Sequence, residues 1–267
     1  MNILFFGDIV GAQATDCVAD LLPGLRAELD VDLIIINAEN CAPSGLGMSR
    51  KQVEQLLQAG ADVITGGNHS WDTQESIDLL AWECVIRPNN VGPGVPGHGV
   101  LYVNAGSQQI TVLNLADSCA MKSVKIVKDT LHSTYKSWRE TEKKGIVIVD
   151  YHGDHVLEKQ IFAHAVDGEA TAVIGTHTHE PTSGLHILPH GTAFVTDAGM
   201  IGPAGGVQGF DPACLVAGLK ADGNPFSGPM PAVAAGPITG EAILLQIAGS
   251  RTTSIRRVSA VPDPAVL

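Results

Sequence analysis

Positive charge is scarce in this chain: 16 Lys and Arg stand against 28 Asp and Glu among 267 residues, a formal net charge of −12. A surface so acidic repels phosphate backbones and anionic headgroups, which excludes a general nucleic-acid or membrane-surface protein. Long apolar runs are missing too. None approaches the roughly 20 residues needed to cross a bilayer. Met1 leads straight into Asn2-Ile3-Leu4-Phe5-Phe6, without a basic leader or a small-residue cleavage site, so a cytoplasmic location is expected. Cysteine is sparse. Cys17, Cys41, Cys84, Cys119 and Cys214 are odd in number, scattered and never spaced as Cys-x-x-Cys, so free thiols are expected rather than a disulfide framework. Cys41, directly after Glu39-Asn40, reads either as a ligand or as a small neighbour in a tight loop.

What is present is an ordinary globular composition, 45% hydrophobic and 16% charged. The length suits one large α/β domain or two small ones, and the whole chain is read as a single domain. Five apolar runs share one pattern. Asn2-Ile3-Leu4-Phe5-Phe6 ends in Gly7-Asp8, and Asp32-Leu33-Ile34-Ile35-Ile36 ends in Asn37-Ala38-Glu39-Asn40. Asp62-Val63-Ile64-Thr65 runs into Gly66-Gly67-Asn68-His69, and the run ending Val149-Asp150-Tyr151 reaches His152-Gly153-Asp154-His155. Ala172-Val173-Ile174 leads to Gly175-Thr176-His177-Thr178-His179. Continuous apolar runs are buried strands of an α/β sheet, and ligand sites lie at the carboxyl ends of such strands.

Between the strands, helical patterns are expected over 15–29 (capped by Thr15, with Pro23 a candidate kink), 49–59 (capped by Ser49 and closed by Gly60), 74–82 (capped by Thr73), 124–143 and 156–166, the last burying Ile161 and Phe162. Residues 100–103 with 110–115, 185–188 with 192–196, and 241–247 with 252–258 read as hairpins. Residues 87–99 read as a long surface loop, and 262–267 as a fraying tail. The stretch 199–240 is dense in glycine and proline; so much irregular chain suits an active-site lid or a subunit contact.

An isolated His-x-His reads as two surface histidines. Here it stands with ligand types at four other strand ends, and alternation along an extended backbone puts His177 and His179 on one side. Asp8, Glu39, Asn40, Asn68, His152, His177 and His179 mix carboxylate, amide and imidazole groups, a set suited to iron, manganese or zinc. Two ions bridged by Glu39 make the economical arrangement. Paired ions about 3.5–4 Å apart can activate a bridging hydroxide and clamp a phosphoryl group during in-line displacement. His69 adjoins Asn68 but points elsewhere, which makes it the candidate general acid. His155 and His164 are ambiguous, and His98, His132, His186 and His190 read as surface residues.

Gly7-Asp8-Ile9-Val10-Gly11, Asn37-Ala38-Glu39-Asn40, Gly67-Asn68-His69-Ser70-Trp71-Asp72, the 175–179 segment and Thr196-Asp197-Ala198-Gly199-Met200 together resemble the YmdB-like branch of the calcineurin-type metallophosphoesterases. The resemblance implies a four-layer αββα sandwich of two mixed sheets. It implies Asp8, Glu39, Asn40 and His179 around one metal, Glu39, Asn68, His152 and His177 around the other, and His69 as proton donor. It further implies iron or manganese rather than zinc, a homodimer or larger assembly, and hydrolysis of small phosphodiesters such as 2',3'-cyclic AMP. Residues 153–159 and 218–240 depart from the family's usual pattern, which bears on substrate preference and assembly. A nucleotide- or metal-binding regulatory protein with incidental catalysis, and another two-metal hydrolase such as a phosphomonoesterase, are the alternatives.

Overall fold

The computed structural model describes residues 1–127 and 130–261, so the expected tail at 262–267 and residues 128–129 of the expected 124–143 helix lie outside the described residues. The chain opens with three strand–helix units: β1 (Asn2–Phe6), α1 (Gly11–Glu28), β2 (Leu33–Asn37), α2 (Arg50–Ala59), β3 (Val63–Thr65) and α3 (Gln74–Leu79), closed by the short β4 (Val85–Ile86). A second series follows: β5 (Val100–Ala105), β6 (Gln108–Ala116), α4 (Thr134–Glu140), β7 (Ile146–His152), α5 (Val156–Ala165), β8 (Ala172–Thr176), β9 (His186–Ile187) and β10 (Ala193–Val195). Then come β11 (Gly202–Pro203), α6 (Pro212–Asp222), β12 (Ile238–Thr239) and the hairpin β13 (Glu241–Ala248) with β14 (Arg251–Ser259).

The first sheet has the order β14-β13-β1-β2-β3-β4 and the second β5-β6-β7-β8-β10-β9. In the first, β1 to β4 run parallel and β1 takes its other neighbour from β13, with Asn2 opposite Gln246. In the second, β6, β7, β8 and β10 run parallel. Parallel strands need both faces covered, and alternation supplies this. Ile3, Phe5, Leu33 and Ile35 face Val112, Ile148 and Ile174 between the sheets. Leu4, Phe6, Ile34 and Ile36 face Val18 and Leu22 of α1, Val53 and Leu56 of α2 and Leu79 of α3. Outside the second sheet, Trp138 of α4 and Phe162 of α5 meet edge to face at 5.9 Å over Leu113, Val149 and Val173. The result is the expected αββα sandwich. Strand β14 also ties the first sheet to the second: the Arg257 guanidinium donates to the carbonyls of Ala198 and Thr182, each at 2.7 Å, and the Thr252 hydroxyl donates to the Thr171 carbonyl at 2.8 Å.

Several local expectations need correction. Helix α1 starts at Gly11, four residues before Thr15, whose buried hydroxyl donates back to the Gly11 carbonyl at 3.1 Å instead of capping; the helix runs on through Pro23 as one element. Ser49 precedes α2 without capping it through its side chain, while Gly60 closes it in the left-handed region (φ 113°), as expected. Thr73 does cap α3, but that helix ends at Leu79. Of 124–143, only Thr134–Glu140 is α-helical among the described residues, beginning where the Ser133 hydroxyl accepts from Lys136 N; short 3₁₀ turns at Ala120–Ser123 and Lys125–Val127 precede it. Ile161 on α5 is 59% exposed rather than buried. The 87–99 loop is pinned from inside: the buried Arg87 guanidinium donates to the carbonyls of Pro88, Val95, Pro96 and Gly97, and burial pushes its pKa down to about 10. The 199–240 stretch contains a helix that composition hid, α6, with Asp211 accepting from Ala213 N, Pro212 in its first turn and Gly223 left-handed behind it. No helix among the described residues is long and apolar enough to cross a membrane.

Candidate active site

The carboxyl ends of β1, β2 and β3 from one sheet and of β7 and β8 from the other meet at one edge of the sandwich. All eight expected residues come together there. His152 stands at the centre: its Nε2 lies 2.8 Å from Asn68 Oδ1, 3.0 Å from Glu39 Oε1 and 3.0 Å from His177 Nδ1. Its Nδ1 lies 3.0 Å from Thr176 Oγ1, whose hydroxyl in turn donates to Asp150 Oδ1 at 2.6 Å. That relay makes Nδ1 the donor and turns Nε2 toward the cluster, as the outer partner of a metal-binding histidine does. Asp150 also accepts from Asn37 Nδ2 and the Thr65 hydroxyl, and burial pushes its pKa up to about 6.

Asp8 accepts from His177 N through Oδ2 at 3.0 Å, and its Oδ1 lies 3.8 Å from His179 Nε2. His179 is aimed by its Nδ1, 2.9 Å from the Gln208 carbonyl. The Asn40 amide nitrogen donates to the Gly45 carbonyl at 2.7 Å, which leaves Oδ1 free. His177 Nε2 lies 3.4 Å from Asp154 Oδ1, so its Nδ1 is the atom presented inward. Glu39 accepts from His69 N through Oε2 at 3.0 Å. Burial opposes ionisation of Glu39, but the His152 imidazole outweighs it and holds the carboxyl down at about 2. Burial likewise opposes a charged His152, and Glu39 overrides it, raising the imidazole to about 9.

Whether this edge fits metal ions is answered by its unpartnered atoms. Asp8 Oδ1, Glu39 Oε1 and Asn40 Oδ1 are buried and accept no hydrogen bond; His152 Nε2 is near Glu39 Oε1 but misaligned for one. A buried carboxylate oxygen without a partner costs free energy, and a cation satisfies it. Glu39, His152 and His177 present ligand atoms all within 4.8 Å of one another. The donor set fits. Gly67 sits against this cluster with no room for a side chain: a Cβ would fall 2.3 Å from Glu39 Oε2 and 2.4 Å from the His152 ring, so only glycine lets the backbone approach this closely.

Strand alternation is not what brings the histidine pair together. Strand β8 ends at Thr176, and both His177 (φ 96°) and His179 (φ 64°) adopt left-handed backbone, so they converge through a strained turn instead. The turn is held by the buried Lys159, whose Nζ donates to the Thr176 carbonyl at 2.8 Å and pairs with Asp197 Oδ2 at 3.1 Å; Asp197 also accepts from Thr178 N and Gly199 N. Lys159, Asp197, Asp150, Thr176 and Asp154 escaped the sequence reading because their partners are distant in the chain. Asp72 was findable: it follows His69 by three residues and binds its Nδ1. For His69, burial lowers the imidazole pKa, but the bond to Asp72 and the Glu39 charge outweigh it and leave it raised.

The remaining histidines lie elsewhere. His155 caps α5 by accepting from Glu158 N, and His164, His186 and His190 are exposed. His98 reaches the Glu83 carbonyl, and His132 lines a separate cavity of about 620 Å³ between α4 and α5 that contains none of the eight residues. The buried Cys41 thiol is pushed by its burial up to about 12, so it serves as a small packed neighbour. All five cysteines are free. Above the cluster opens a cavity of about 390 Å³, floored by Glu39, Asn40, His69, His177 and His179.

The family model of YmdB-like proteins matches residues 4–258. The chain belongs to the YmdB-like family. Among curated relatives, this YmdB-like protein is 37% identical over 222 residues to the 2',3'-cyclic-nucleotide 2'-phosphodiesterase of Bacillus subtilis, covering 82% of this chain and 83% of that one. Among solved structures, a hypothetical protein from Thermus thermophilus superposes with a TM-score of 0.86 at 33% identity over 97% of this chain and 98% of its own. A novel phosphatase from Mycoplasma pneumoniae gives 0.85 at 28% identity, over 99% and 95% of the two chains.

Proposed function

We propose that this YmdB-like protein is a two-metal phosphodiesterase that hydrolyses small phosphodiesters, 2',3'-cyclic nucleotides foremost. The observation that carries the reading is the set of three buried, unpartnered oxygens of Asp8, Glu39 and Asn40, facing imidazole nitrogens beside His69. The relative's activity supports the substrate class. In the proposal Asp8, Glu39, Asn40 and His179 hold one ion and Glu39, Asn68, His152 and His177 the other, with iron or manganese suited to the mixed donors. When bound, such a pair lowers the pKa of a water and neutralises charge on the phosphoryl oxygens.

The chain's own groups do the rest. Asp150 and Thr176 fix the His152 ring, Gln208 fixes His179, and Lys159 with Asp197 fixes the turn between the two histidines. His69 stands on the cavity floor with Nδ1 bound to Asp72, so Nε2 is the atom left to deliver a proton to the departing ribose oxygen as water adds to phosphorus. The test is metal analysis of the purified protein together with turnover on 2',3'- and 3',5'-cyclic AMP. His69→Ala is expected to keep its metal and lose about 10²–10⁴-fold in kcat; unchanged turnover removes His69 from the mechanism. Association into a dimer or larger assembly belongs to the same reading, supported by Val156, Leu157 and Ile161, which α5 leaves exposed; light scattering measures it. The cytoplasm is the compartment proposed for this reaction.

A further inference from the structure

Twelve large apolar side chains are exposed among the described residues, and five of them, Val207, Val216, Leu219, Phe226 and Met230, line the cavity over the cluster. They come from α6 and its flanking segments. Helix α6 buries only Gly218, so its apolar residues are not spent on the protein's own core. Phe226 is 79% and Met230 61% exposed, both on the segment after α6 and both lining the cavity. That loop is shaped rather than slack: Asn224 Oδ1 accepts from Phe226 N at 2.9 Å, and the Ser227 hydroxyl donates to Asp222 at 3.1 Å.

The cavity therefore has two unlike halves. Its floor is carboxylate, amide and imidazole. Above the floor, Gln208 alone carries a hydrogen-bonding side chain, and its amide nitrogen already donates to the Thr178 carbonyl at 3.1 Å. A ligand lying here meets ionic chemistry at one end and, at the other, an apolar surface whose one side-chain hydrogen-bonding group, Gln208, is tethered through its amide nitrogen.

We infer that this roof is a nucleobase platform, with Phe226 and Met230 its main contacts, that binds the face of any base and reads the edge of none. The inference rests on the proposed cyclic-nucleotide reaction and extends it. With the cyclic phosphate on the floor, the base projects from the ribose into the apolar half. Stacking on an aromatic ring is tolerant of base identity because every base has a π-face. Sites that discriminate strongly do so with buried hydrogen-bonding groups, and an apolar pocket separates similar ligands only weakly.

The metal-loaded wild type, Phe226→Ala and Phe226→Trp are compared on the four 2',3'-cyclic nucleotides and on ribose 2',3'-cyclic phosphate, which has no base. For the wild type, kcat/KM is expected to vary less than about tenfold among the bases and to exceed the base-free substrate by about tenfold or more. Phe226→Ala is expected to erase most of that gap through KM, with Phe226→Trp retaining it. Calorimetric binding of 3'-AMP weakens in parallel in Phe226→Ala, and metal content and solution mass stay unchanged. An equal loss on the base-free substrate overturns the platform, as does a preference of about a thousandfold for one base. A fall in solution mass in Phe226→Ala also overturns it and reassigns the patch to a contact with a second copy. A wild type that turns over no cyclic nucleotide fells the proposed reaction itself, a result visible before any variant is made.

Discussion

The two sheets bring different chemistry to their common edge. β1, β2 and β3 of the first sheet deliver oxygen donors, Asp8, Glu39, Asn40 and Asn68, whereas β7 and β8 of the second deliver the nitrogens of His152, His177 and His179. Neither sheet holds a complete set. The candidate site exists only where the inter-sheet core, Ile3, Phe5 and Ile35 against Val112, Ile148 and Ile174, sets the sheets at the right separation. Packing far from the edge is thus part of the chemistry at it.

Breaking the bridge between the sheets should have the largest effect. Glu39 belongs to both proposed sets, and Glu39→Gln is expected to lower metal content and cut turnover about a thousandfold, the several kcal/mol of charge stabilisation that paired ions supply at tenfold per about 1.4 kcal/mol. Elemental analysis and initial rates measure both. Next in size, Lys159→Met leaves Asp197 buried without its cation, and a loss of about 3–5 kcal/mol in denaturant unfolding is expected. The comparison is sharpest within one strand. Ile35 and Ile36 are both fully buried on β2, one facing the other sheet and one facing the helices. Each truncation to Ala should cost about 2–5 kcal/mol, yet only Ile35→Ala should also weaken metal binding; equal metal affinities would show that sheet separation does not matter.

The smallest effect lies at the far end of the second sheet. Asp167 accepts from the backbone N–H groups of His190 and Thr192; burial opposes its ionisation, but those bonds outweigh it and hold the carboxyl below its usual range. A depressed carboxyl stabilises the fold above its unfolded pKa of about 3.9, and that contribution disappears as pH falls through the folded value. Asp167→Asn should therefore cost about 1–2 kcal/mol at neutral pH, and the gap to the wild type should close below about pH 4, as followed by unfolding across pH.

Much of this was legible in the residues. Strands covered on both faces are apolar throughout, so β1, β2, β7 and β8 announced themselves, and the polar residues directly after them could only sit at the sheet edge. What stayed hidden has two physical causes. The groups that aim the donors, Asp150 behind His152 and Asp197 beside Lys159, are joined by contacts across the fold and leave no mark on local spacing. Helix α6 is apolar or small at every one of its 11 positions except Lys220 and Asp222, so no polar face set off a helical period and the usual signal for a helix was absent. The left-handed turn at His177 and His179 is a third case: alternation gave the right neighbours by the wrong geometry.

The pairing of β1 with β13, Asn2 opposite Gln246, also has a consequence in time. As the polypeptide leaves the ribosome, the strand that carries Asp8 emerges first and keeps one flank open until more than two hundred further residues have been made, since its partner begins at Glu241. His177 and His179 come late as well. In the proposed reading a nascent chain can therefore meet cations only piecemeal, and the cradle is complete only after His179 and then β13 have followed.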